Sequence, residues 1–190
     1  MKFETAELAN GLKIIAETNP HALSSAIGFF VRTGASDESP ELSGVSHFLE
    51  HMLYRGTDRL PSAHEVNLTF ERLGGYLYGA THADFGVFSV TVPPESLSAA
   101  ADAFAHVLTS PAFLDIEIEK GIVCEEILED LDDDGRQVDA DNLSRGLIYG
   151  AHPRTGRLFI DNSADTIAAH ASAVQGQDGW GAMNVSFGNL

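Results

Sequence analysis

The chain has 190 residues, 44% of them hydrophobic and 21% charged, and its 28 acidic against 11 basic side chains give a net charge of −17. That composition belongs to a folded globular protein and not to a disordered one, and the charge argues against a nucleic-acid backbone as partner. A single cysteine, Cys124, leaves no internal disulfide and fits a reducing compartment. Neither a basic leader followed by an apolar run nor a stretch of roughly 18 apolar residues is present, so the expectation is a soluble, cytoplasmic chain with no membrane contact.

In chain order, residues 2–7 and 12–17 read as strands joined around Asn10-Gly11, a strong hairpin signal. Residues 24–32 form a further strand, apolar enough to predict a central place in a sheet. A polar loop over 34–42 leads into a helix over 43–53. After Gly56-Thr57 and Pro61 a second helix opens, with Ser62 as N-cap and Glu65 three residues on, and Gly74-Gly75 ends it. Strands are predicted over 76–80 and 85–92, then an alanine-rich helix over 96–108 and another over 116–131. The run Asp132-Asp133-Asp134-Gly135 reads as a solvated loop, and 144–149 as one or two helical turns. A weaker helix over 164–174 and a strand-like 183–187 finish the chain. Hairpins mixed with helices predict an α+β fold with a mainly antiparallel sheet packed against helices.

The helix over 43–53 carries the chemistry. His47 and His51 are four residues apart, so both imidazoles leave one helical face and can share one Zn²⁺. Glu50 sits near that face, within reach of a water at the metal. The order H-x-x-E-H is the inverse of the commoner zinc-protease helix motif. Two solvated histidines and a surface glutamate are the competing reading. A third ligand separates the two, since catalytic zinc usually keeps three protein ligands. The helix over 116–131 offers Glu117, Glu119, Glu125, Glu126 and Glu129, with Ile118, Ile122 and Ile127 expected to anchor it. Glu119 and Glu126, seven apart, share a face. Periodicity alone does not choose among the glutamates.

His47-Phe48-Leu49-Glu50-His51-Met52 with Gly56-Thr57, followed by Glu119-Lys120-Gly121-Ile122-Val123-Cys124-Glu125-Glu126-Ile127, resembles the pitrilysin-type (M16) zinc metallopeptidases. Glu126 stands 75 positions after His51, as that family's glutamate ligand does. Leu8-Ala9-Asn10-Gly11-Leu12 is similar to its opening hairpin, Gly28-Phe29-Phe30-Val31 through Gly34-Ala35 to its G-x-F-V-x-x-G-S strand, and 161–170 and 183–189 to its later segments. The resemblance implies the LuxS/mitochondrial processing peptidase-like metallohydrolase fold. It implies one Zn²⁺ per chain held by His47, His51 and Glu126, with Glu50 as general base and Glu119 steadying the site.

The activity implied is hydrolysis of short or unfolded peptides through a metal-activated water. The substrate would be bound as an added strand along 74–81, and the acidic surface points to basic peptides. Tyr78 departs from the family's G-G-x-x-N-A, standing where asparagine is expected. The family builds its enzymes from paired homologous halves, so residues 1–190 are expected to form a single metallopeptidase-like domain, one half shortened at its C-terminus. Such a half implies a homodimer or a heteromer with a homologous half. The alternative function is a non-catalytic, partner-dependent peptide-binding subunit of a larger peptidase assembly.

Overall fold

The computed structural model describes residues 2–39, 42–136 and 138–149; the elements expected over 164–174 and 183–187 lie outside them. Strands β1 (Lys2–Glu7) and β2 (Lys13–Thr18) form an antiparallel hairpin in the register Lys2 to Thr18. Its turn closes with the Gly11 amide donating to the Leu8 carbonyl, and Gly11 takes the left-handed conformation at φ 86°. Strands β3 (Ser25–Val31), β4 (Leu77–Thr81) and β5 (Gly86–Val92) form a second antiparallel sheet in the order β3-β5-β4. The expected α+β class with an antiparallel sheet is what the structure has. Among the described residues the central strand of this sheet is β5, and β3, expected there, lies at its side. β3 alternates instead, with Ile27, Phe29 and Val31 packed inward while Phe30 is 54% exposed on the other face.

Helices α1 (Val45–Leu53), α2 (Ala63–Arg72), α3 (Leu97–Thr109), α4 (Ile116–Glu129) and α5 (Ala140–Tyr149) complete the described chain. Ser62 caps α2 as its sequence predicts, its hydroxyl accepting from the Glu65 amide. The main core lies between the sheet and α2 and α3. Phe88, Val90 and Val92 from β5 meet Val66 and Phe70, four residues apart on α2, and Ala100, Phe104 and Val107 on α3. Leu53 of α1 joins this core, while Phe48 and Met52 of the same helix enter a second cluster with Val123 and Ile127 of α4.

The facing of α4 differs from the expectation in one respect. Ile127 is buried, but Ile118 and Ile122 are exposed. The inward row is Glu119, Val123 and Ile127, at i, i+4 and i+8. A glutamate occupies an inner position because it has partners there. Among the described residues no helix is long and apolar enough to cross a membrane.

Two tertiary ties hold the ends of α1. At its start, Gly44 adopts φ 92°, and the buried Glu38 carboxylate accepts from the Gly44 amide at 2.6 Å and the Ser46 amide at 2.8 Å. The cap is thus a carboxylate brought from the preceding loop, placed where the helix presents free amides and positive potential. The same loop is strapped to the end of β4, with Ala35 donating to the His82 carbonyl at 3.2 Å and Ser36 to the Ala83 carbonyl at 2.7 Å. Beyond the helix, Thr57 pairs with Pro111, and the Ala112 amide donates to the Gly56 carbonyl, which brings the start of α4 beside the end of α1. Removing a carboxylate that satisfies two amides should be costly, since a hydrogen bond to a charged group is worth about 1.5–3 kcal/mol. Glu38→Ala should lower unfolding stability by about that amount in urea titration; an unchanged midpoint would show that Ser43 or water caps the helix equally well.

Candidate metal centre

His47 and His51 project side by side from α1, their rings edge to face with centroids 4.6 Å apart and their Nε2 atoms 3.0 Å apart. Two turns along α4 from the buried Glu119, Glu126 reaches across, its Oε2 lying 3.4 Å from His51 Nε2 and 3.8 Å from His47 Nε2. All three ligand atoms lie within 4.8 Å of one another. Ligands about 2.0–2.1 Å from one tetrahedral zinc are about 3.3–3.4 Å apart, and the three separations straddle that value. Burial, and then the neighbouring His51, lowers the His47 pKa to about 4. Its imidazole is therefore neutral near pH 7, with a lone pair available. Two imidazole nitrogens and one carboxylate oxygen are the donor set that suits zinc.

Glu119 fixes the second imidazole. Its Oε1 accepts from His51 Nδ1 at 2.8 Å, which puts the proton on Nδ1 and leaves Nε2 as the ligand atom. Its other oxygen lies 3.1 Å from Arg55 Nε, and the same guanidinium reaches Asp115 at 3.2 Å. Glu119 is only 5% exposed, so its charge needs that cation. Asp115 precedes α4 with φ 58°, a left-handed conformation uncommon for aspartate, and the ion pair to Arg55 holds it. A line of groups thus runs from His51 through Glu119 and Arg55 to Asp115, joining α1 to α4.

Glu50 reaches from the same helix to β4. The Thr81 hydroxyl donates to its Oε2 at 2.6 Å. Burial holds the Glu50 carboxyl above the usual glutamate range, the Thr81 hydrogen bond and the nearby His51 acting against that shift and the Glu126 charge adding to it. A carboxylate whose proton affinity is raised in this way, beside a candidate metal, is suited to accept and return a proton.

The five residues singled out in the sequence, His47, Glu50, His51, Glu119 and Glu126, are brought together. Of the five glutamates on α4, Glu119 and Glu126 reach the histidines. Arg55 and Thr81 were missed. Arg55 sits four residues past His51, in the turn that follows α1, and that spacing was the signal that could have found it. Thr81 is 31 residues from Glu50 and carries no local signal.

Comparison with known proteins places this arrangement in a family. Residues 13–150 match the sequence profile of insulinase, peptidase family M16. The uncharacterized zinc protease YmxG of Bacillus subtilis is 38% identical over 147 residues, which cover 75% of this chain and 35% of that protein. Among solved structures, pitrilysin superposes with a TM-score of 0.72 at 23% identity over 92% of this chain and 19% of its own. The peptidase M16 inactive domain from Pseudomonas fluorescens gives 0.71 at 20% identity over 90% of this chain and 43% of its own. At those identities the structures speak for the fold alone, and the chain spans about a third of the length of the zinc protease it matches. The profile match covers most of the chain, which therefore belongs to the M16 peptidase family.

Proposed function

We propose that this chain carries the zinc site and the proton-transfer group of an M16 endopeptidase acting on short or unfolded peptides. The observation that carries the reading is the convergence of His47 Nε2, His51 Nε2 and Glu126 Oε2, with the Glu50 carboxylate beside them. His47, His51 and Glu126 would hold one zinc ion, and Glu119 would keep His51 in its ligating tautomer. Zinc, when bound, supplies a Lewis acid that polarises the scissile carbonyl and makes water a better nucleophile near neutral pH. Glu50 does the proton work. With Oε2 engaged by Thr81, it takes the proton of the attacking water on Oε1 and delivers it to the amine nitrogen as the C–N bond breaks.

The peptide would add as a strand to the free edge of β4, whose only strand partner among the described residues is β5. Tyr78, 51% exposed, and Phe30 lie on the sheet face away from α2 and α3. A homologous half, whether a second copy or a separate chain, would cover that face and complete a substrate chamber. A second reading is a peptide-binding subunit that cuts only together with a partner; one relative, 31% identical over 124 residues, carries the name of a probable mitochondrial-processing peptidase subunit beta of Arabidopsis thaliana.

Substitution separates these readings. His47→Ala and His51→Ala should lose zinc in metal analysis of the purified protein. Glu50→Gln should retain zinc while turnover falls about 10²–10⁴-fold, because a base is removed and not a ligand. Peptide cleavage by Glu50→Gln at the parent rate would defeat the mechanism, and a parent that binds zinc but cuts only with an added partner would favour the second reading. Glu126→Gln should weaken zinc binding more than Glu119→Gln, for which about 10–100-fold is expected from loss of an orienting partner; the reverse order in metal titration would move the third ligand to Glu119.

With −17 overall, lysine- and arginine-bearing peptides should be captured faster than acidic ones. That preference should shrink as salt rises, since exposed charges are screened over about 8–10 Å at moderate ionic strength. A preference unchanged between low and high salt would assign the charge to solubility.

A further inference from the structure

Resting on the peptidase reading above, we propose that Thr81 is a positioning residue that registers the Glu50 carboxylate to the edge strand β4. A glutamate side chain has three rotatable bonds, and nothing in its helix tells the carboxylate where to stop. Thr81 does so, through the 2.6 Å hydrogen bond from its hydroxyl to Oε2. Threonine is stiff at χ1 because it branches at Cβ, so its hydroxyl direction follows from the strand backbone. The donor is thereby aimed by β4 itself.

Gly79, two residues earlier and so on the same face of β4, confines the rest of the side chain. A Cβ there would lie 3.0 Å from Glu50 Cγ, 3.0 Å from Oε1 and 2.4 Å from the Tyr54 hydroxyl. Glu50 therefore lies against the strand backbone in space that only glycine leaves open. On the same spot, the Tyr54 hydroxyl is buried with no hydrogen-bond partner among the described residues, and it closes the far side. Thr81 holds Oε2, Gly79 admits the stem, Tyr54 bounds it, and Oε1 is left for the proton.

The consequence concerns catalysis and not binding. The strand that would receive the peptide is the strand that aims the base, so one element sets the distance from base to scissile bond. A misplacement of about 1 Å can cost about 10²-fold in rate. Thr81→Val, which keeps the shape and removes the donor, should lower kcat by about 10–100-fold while KM stays within about twofold, with zinc content and thermal midpoint as in the parent. Thr81→Ser should recover most of kcat. Gly79→Ala, which keeps the donor but fills the space beside Glu50, should lose kcat with Thr81 intact.

Crystal structures of the parent and Thr81→Val proteins give a reading independent of activity. The Glu50 carboxylate should contact Thr81 in the first and leave β4 in the second. Parent-like kcat in Thr81→Val, or a Glu50 carboxylate in the same place in both structures, would overturn the proposal. If the parent cleaves no peptide, the peptidase reading falls, and the paired structures alone decide whether Thr81 holds Glu50.

Discussion

The structure depends on one helix serving two cores. α1 sends Leu53 into the cluster built by the sheet, α2 and α3, and Phe48 and Met52 into the cluster shared with α4. Nine residues are enough for this because the two apolar sets lie on different sides of the helix. The sector left between them carries His47, Glu50 and His51. A helix buried on one side only could shift or roll at little cost, but packing against two bodies fixes both its rotation and its height. The spacing of His47 and His51 against α4 is therefore a product of hydrophobic packing, and the polar groups refine it.

The charges at the site are arranged by depth. Glu119, the most buried, is paired on both oxygens, with His51 on one side and Arg55 on the other. Glu126 remains 45% exposed at the side chain and has no arginine or lysine partner among the described residues. A buried carboxylate without a cation would be strongly destabilising, while a half-exposed one keeps its charge through solvent. The difference suits two tasks. The inner glutamate is held on both sides and directs an imidazole, and the outer one keeps access to solvent.

What could be read in the sequence was what is local or periodic. The four-residue spacing of His47 and His51, the seven-residue spacing of Glu119 and Glu126, the Ser62 cap and the Asn10-Gly11 turn all express geometry over one or two turns of chain, and each appears in the structure. The Glu38 cap, six and eight residues from the amides it serves, and the Thr81 bond to Glu50 are tertiary, and no short-range pattern encodes them. The facing of α4 is not legible from its apolar residues, because these occur all round it. Ile118 and Ile122 look like anchors until Glu119 is seen to have its own buried partners. Apolar content alone does not place β3, because one face of it carries an exposed phenylalanine and β5 takes the central position among the described strands.

The short stretch from Gly34 to Glu38 has a consequence beyond connecting β3 to α1. Its amides grip the backbone at His82 and Ala83, just past Thr81, and its carboxylate grips the first turn of the helix that carries Glu50. It is a spacer between the two elements that meet over Gly79, and its length is a dimension of the site. Evolution or engineering could alter the reach of Glu50 by one inserted residue in a polar turn, without touching either histidine, a strand or the core.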